Sequence, residues 1–246
     1  MLNLAYVLES SARDYPDKTG VVLGAMRLSF AEIDRLARQV ARGLWESGVR
    51  PGDKVALTCP NNPYFAIIYY GILKAGGVVV PLNVLFKRRE IAYHLTDSEA
   101  KAYLCFQGTE ALPMVEEGWA GFSQAPSCKH FWVLTMSPGS ESPIPGTKTF
   151  TDLIEQPSEF ETVQTDPNDT AVILYTSGTT GRPKGAELSH NNISMNAIMS
   201  TKLYGTCAED NQLIILPVFH SFGQVCQMNA GFLAGATAIF IPRFDP

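Results

Sequence analysis

The sequence predicts an α/β protein built in layers, with mostly parallel sheets flanked by helices. Three observations carry this reading. Strand-like and helix-like patterns alternate along most of the chain. Several strand candidates, such as Val78-Val-Val-Pro-Leu82 and Ala171-Val-Ile-Leu-Tyr175, are continuous apolar runs, as expected of strands covered on both faces. The 246 residues are 46% hydrophobic and 17% charged, which supplies a large core and excludes disordered, collagen-like and coiled-coil classes.

The elements follow in order. Asn3 is placed to cap a helix reaching about Tyr15. Val21-Val-Leu23 and Met26-Arg-Leu-Ser29 form a hairpin around Gly24. Ser29 and Glu32 have capping-box spacing, and Ile33, Leu36, Ala37, Val40, Ala41 and Leu44 share one face of the helix behind them, which stops at Gly48. Lys54–Cys59 reads as a strand, and Asn62-Pro63 starts a helix with proline at its first position. Strands are expected at 78–82, 102–106 and 130–134, with helices at 87–95 and 110–117 between them. Ser137–Lys148 lacks apolar periodicity and reads as a surface loop. It places a candidate subdomain boundary near 137–170, with a short helix at 150–155. The last third predicts a strand at 171–175 and a returning strand at 185–188. Beyond these come a helix capped by Ser189 to about Thr201, a strand at 212–216, a helix at 222–233 and a strand at 236–241.

Other classes are excluded by charge and patterning. Nineteen basic against 24 acidic side chains give a net charge of −5, which offers no basic face to nucleic acid. Tyr64–Phe86 has the length of a membrane span and one charge, Lys74. However, Gly76-Gly77 and Pro81 interrupt it, and a buried helix followed by a buried strand explains it better. The start lacks the basic region of a secretory leader. The five cysteines form no Cys-x-x-Cys pair and read as buried thiols of a cytoplasmic protein.

The most informative segment is Tyr175-Thr-Ser-Gly-Thr-Thr-Gly-Arg-Pro-Lys-Gly185. Gly178 and Gly181 let backbone N–H groups turn towards one point, Thr176, Ser177, Thr179 and Thr180 add hydroxyls, and Lys184 adds a mobile charge. The set suits a polyphosphate. It is not a Walker loop, because Pro183 and Gly185 flank the lysine. The plainer reading is a flexible polar turn, yet eight of the nine positions from Thr176 to Lys184 are Gly, Thr, Ser, Pro or Lys, far more than a turn requires.

This segment resembles the signature of the adenylate-forming superfamily, which includes acyl-CoA synthetases, luciferases and adenylation domains. Leu28-Ser-Phe-Ala-Glu-Ile33, Leu73-Lys-Ala-Gly-Gly-Val-Val-Val-Pro-Leu-Asn83 and Leu216-Pro-Val-Phe-His-Ser-Phe-Gly223 are similar to other motifs of that superfamily, in the expected order. The resemblance implies the first part of a large N-terminal AMP-binding domain. It also implies a two-step ligase that activates a carboxylate with Mg2+-ATP to an acyl-adenylate and transfers the acyl group to CoA. On that basis Thr176, Ser177, Gly178, Thr179, Thr180, Gly181 and Lys184 would bind the nucleotide phosphates, Thr176 would approach magnesium, and Lys184 would act in catalysis. His220 reads on its own as a histidine satisfied at a strand end. In the resemblance it is a wall of the acyl site that orients the carboxylate.

The 217–223 segment looks most like fatty-acid–CoA ligases. An aryl or other carboxylic acid is the alternative, as is a nucleotide-binding module without chemistry. The superfamily's later motifs, including its C-terminal domain and catalytic lysine, are absent from these 246 residues, so the chain alone is expected to be inactive. A lipid substrate leaves peripheral membrane contact open, and apolar surface near residue 246 leaves a homodimer open.

Overall fold

A computed structural model describes residues 2–137, 139–177 and 181–242. The chain opens with α1 (Tyr6–Asp14), the hairpin β1 (Thr19–Leu23) and β2 (Met26–Ser29), and α2 (Phe30–Glu46). The Ser29–Glu32 capping box forms as its spacing requires. Asn3 does not cap α1. Its Oδ1 accepts from the Ala5 N–H, while its Nδ2 donates to Leu73 and Val163, tying the start of the chain to distant segments.

A run of strands and helices follows: β3 (Lys54–Thr58), α3 (Pro63–Lys74), β4 (Val78–Leu82), α4 (Arg88–Asp97), β5 (Ala102–Phe106), α5 (Met114–Phe122) and β6 (His130–Leu134). The helix expected at 110–117 forms four residues later. Pro113 cannot sit inside a helix, so 109–112 close a turn and the helix begins behind the proline. Next come β7 (Lys148–Thr149), α6 (Phe150–Ile154), β8 (Thr170–Thr176), β9 (Lys184–Ser189) and α7 (His190–Tyr204). The described chain closes with β10 (Asn211–Ile214), a π-helical turn at Phe222–Asn229, α8 (Ala230–Ala234) and β11 (Thr237–Phe240).

Two sheets result. The larger has strand order β7-β6-β5-β3-β4-β8-β9, parallel except for β9, which returns antiparallel to β8. The smaller has order β10-β11-β1-β2: the N-terminal hairpin completes a sheet begun by the last two strands, with Val21 opposite Ala238. Helix α3 touches β4 of the larger sheet and β1 of the smaller, and every one of its residues is buried. Gly71 lets α2 approach it, since a Cβ there would lie 2.6 Å from Val40 Cγ1.

Burying α3 also buries Lys74 completely, and a lone buried ammonium is costly. The fold answers with carboxylates from two other helices: Nζ lies 2.5 Å from Glu9 of α1 and 2.8 Å from Asp34 of α2, and Arg38 holds the other Asp34 oxygen at 2.7 Å. The apolar stretch of membrane length is therefore a core helix with a paired charge at its end, followed by the buried strand β4. Among the described residues, no helix is long and apolar enough to cross a membrane.

Candidate functional site

The glycine-rich segment is the tip of the β8–β9 hairpin. Registration places Thr176 directly opposite Lys184 and Tyr175 opposite Gly185. Thr176 and Ser177 are exposed on one arm, and Gly181 and Lys184 on the other. Gly181 has φ +88°, a conformation that a side chain would strain. Gly178, Thr179 and Thr180 lie outside the described residues. Its described arms run into the strands β8 and β9 and not into a helix, and Lys184 offers positive charge there. Among the described residues, no carboxylate is ion-paired with Lys184 or Arg182. Exposed hydroxyls, a glycine with positive φ and an exposed ammonium at one hairpin tip suit the phosphates of a nucleotide.

The second part of the site lies at the same edge of the sheet. Strand β4 is the parallel neighbour of β8, and the residues just after it, Asn83, Val84 and Leu85, wall a mostly apolar cavity of about 690 Å³. Its other walls include Leu216, Phe219, His220 and Phe222, from the segment after β10. The cavity thus opens at the C-terminal ends of parallel strands, where open α/β sheets bind ligands.

His220 is exposed on a turn: its N–H donates to Pro217 O, and its carbonyl accepts from Gln224 N. The Phe222 N–H donates to Nδ1 at 3.4 Å. His220 thus stands in the cavity wall with Phe219 and Phe222. Of the helix expected at 222–233, only Phe222 lines the cavity. Its first two turns are π-helical and not α-helical. There Gly223 packs against the Leu216 and Pro217 carbonyls, and buried Asn229 accepts from Tyr70 Oη at 2.8 Å and donates to Gln224 O at 2.9 Å.

Sequence reasoning missed Asn61. It is buried at the end of β3, and its Nδ2 faces the carbonyls of Ile214, Ile215, Leu216 and Ile241 at 2.9–3.2 Å. Its Oδ1 accepts from Val218 N at 3.0 Å. One amide thus joins the large sheet to the ends of β10 and β11 in the small one and fixes the segment that carries His220. The available signal was a polar pair, Asn61-Asn62, directly behind a buried strand.

His190, Tyr69 and Tyr70 lie in the core. His190 is buried and accepts from Leu4 N at Nδ1, 3.0 Å. Tyr69 and Tyr70 are fully buried. All five cysteines are free, and Cys59, Cys105 and Cys128 are buried. Cys207 is exposed, contrary to the expectation, because it lies in the turn before β10.

The profile of the AMP-binding enzyme family matches residues 8–246, and the chain belongs to that family. It is 32% identical to a long-chain-fatty-acid–CoA ligase of Bacillus subtilis, over 99% of this chain and 47% of that protein. Its fold superimposes on the anthranilate CoA ligase AuaEII in complex with anthranoyl-AMP, with a TM-score of 0.88 and 27% identity, over 98% of this chain and 45% of that one. It also matches ATP-bound MatB from Rhodopseudomonas palustris, with a TM-score of 0.82 and 29% identity, over 100% of this chain and 46% of that one. The chain therefore spans about half the length of the relatives it matches.

Proposed function

We propose that this chain is the nucleotide-phosphate and acid-binding half of an ATP-dependent acid–CoA ligase. The observation that carries the proposal is the placement of an exposed Lys184 with the Thr176 and Ser177 hydroxyls at the same sheet edge as the cavity beside His220. The first step would be attack of a carboxylate oxygen on the α-phosphorus of ATP, with cleavage of its bond to the bridging oxygen and departure of pyrophosphate. The thiol of CoA would then displace AMP from the acyl carbon. A carboxylate needs no base to attack. The chain's task is to hold charge: Lys184 and the hairpin hydroxyls would stabilise negative charge as it shifts onto the leaving pyrophosphate. His220 would orient the carboxylate at the cavity mouth. Magnesium would neutralise phosphate charge, with the Thr176 hydroxyl the candidate ligand from this segment.

The apolar cavity walls and the similarity to a long-chain-fatty-acid–CoA ligase favour a fatty acid. The similarity to an anthranilate ligase keeps an aryl acid as the second reading. The test is carboxylate-dependent ATP–pyrophosphate exchange by the complete polypeptide, with fatty acids of several lengths, benzoate and amino acids. Exchange driven by fatty acids supports the first reading and exchange driven by benzoate the second. No exchange with any acid refutes the ligase reading and leaves a nucleotide-binding module.

A further inference from the structure

The phosphate hairpin is not held by its own strands alone. Helix α4 packs beside it, and Tyr93 and Asp97, one turn apart, share the face that meets it. Tyr93 Oη donates to the carbonyl of Pro183 at 2.8 Å, and Asp97 Oδ2 accepts from Tyr175 Oη at 2.7 Å. These bonds land on opposite arms of the hairpin. Tyr175 immediately precedes Thr176, and Pro183 immediately precedes Lys184.

The surroundings fix the clamp. The Tyr175 ring stands edge-on to His94, with centroids 4.3 Å apart, and His94 stacks on Phe86 at 4.6 Å. His94 is buried and bonded through Nδ1 to Glu90 O, so its ring has a set orientation. Across the ladder, Gly185 leaves room for the Tyr175 ring. A Cβ there would lie 2.8 Å from Ile173 Cγ2 and 3.3 Å from Tyr175 Cζ. Burial, and then the Asp97 carboxylate, push the Tyr175 hydroxyl well above the ordinary tyrosine range, so it remains a donor at working pH.

We infer that Tyr93 and Asp97 are positioning residues for the nucleotide phosphates: by gripping one arm of the hairpin each, they set how Thr176 and Lys184 face a common point. The inference rests on the ligase reading above for its kinetic consequence and on nucleotide binding alone for its physical content.

The test compares Tyr93→Phe, Asp97→Ala and Asp97→Asn with the wild type in the complete polypeptide. The readouts are calorimetric titration with Mg-ATP, carboxylate-dependent pyrophosphate exchange and thermal melting. Tyr93→Phe and Asp97→Ala should each weaken Mg-ATP binding and slow exchange by about three- to tenfold, the loss of one hydrogen bond. KM for the carboxylate should stay unchanged, and Tm should hold within about 2 °C. Asp97→Asn keeps an acceptor for Tyr175 and should recover most of the loss. Wild-type ATP affinity and exchange in both Tyr93→Phe and Asp97→Ala would overturn the inference, as would losses that simply track a lower Tm. If the wild type exchanges with no acid but binds Mg-ATP, the ligase reading fails and the affinities alone decide the clamp. If it binds no Mg-ATP, both fall.

Discussion

Replacing Lys74 with methionine isolates the electrostatic part of the core. Methionine keeps most of the volume and the helix propensity, so no sizeable cavity opens in α3. It removes the charge shared by Glu9 and Asp34. Breaking a buried pair typically costs about 3–5 kcal/mol, because a carboxylate is left without its partner. Here Asp34 keeps Arg38, and the Glu9 side chain is one-third exposed (33%) and keeps Thr162, which sets the expectation near the lower end, about 3 kcal/mol. For a chain of this size that lowers Tm by about 6–12 °C. The penalty should depend on pH. Burial raises the Glu9 carboxyl, but the charge and hydrogen bond of Lys74 and the Thr162 hydrogen bond outweigh it and hold the group below the ordinary 4.5. A depressed folded pKa contributes stability above the unfolded value that is lost as pH falls through the folded one. The difference between wild type and Lys74→Met should therefore be full at pH 7 and shrink below about pH 4.5. Guanidinium unfolding monitored by circular dichroism at pH 7 and pH 4 measures both. A variant within about 1 kcal/mol of wild type at pH 7 would refute the view that these carboxylates depend on Lys74.

Three further outcomes are expected. Asn61→Ala should destabilise by about 1–3 kcal/mol, since it strands the buried Val218 N–H and its neighbouring carbonyls, and should raise KM for the acid by loosening the His220 segment; melting and steady-state kinetics check both. Gly71→Ala should cost about 1–3 kcal/mol by forcing α2 from α3, measurable by denaturant unfolding; a neutral result would mean the helices part freely. His190 is held to about 4, chiefly by burial, against an ordinary 6.5. The neutral ring is therefore the native form, its contribution is complete above pH 6.5, and up to about 3 kcal/mol is lost between pH 6.5 and 4. In His190→Gln the slope of stability over that window should flatten.

Local signals in the sequence translated directly into structure. The Ser29–Glu32 capping box, the Asn62-Pro63 helix start and the returning strand at 185–188 each depend on a few neighbouring residues, and each forms. Non-local features were illegible. Nothing near Val21 signals that its partner is Ala238, so the division into two sheets is invisible to periodicity. Lys74 reads as an isolated charge because its carboxylates come from two other helices. The hairpin motif pointed to phosphate chemistry by composition, but the grip of Tyr93 and Asp97 on its two arms depends on α4 packing beside β8. The π-helical turn buries Gln224 and Asn229, with Asn229 Nδ2 donating to Gln224 O, a contact that a helical wheel does not encode.

The central claim is that the Thr176–Lys184 hairpin receives the phosphates of ATP. Single-turnover adenylate formation by the complete polypeptide, wild type against Lys184→Ala, tests it most directly. The account predicts a loss of about tenfold to a thousandfold with melting unchanged, as expected when a charge contact to the transition state is removed. Adenylate formation at the wild-type rate in Lys184→Ala would contradict it.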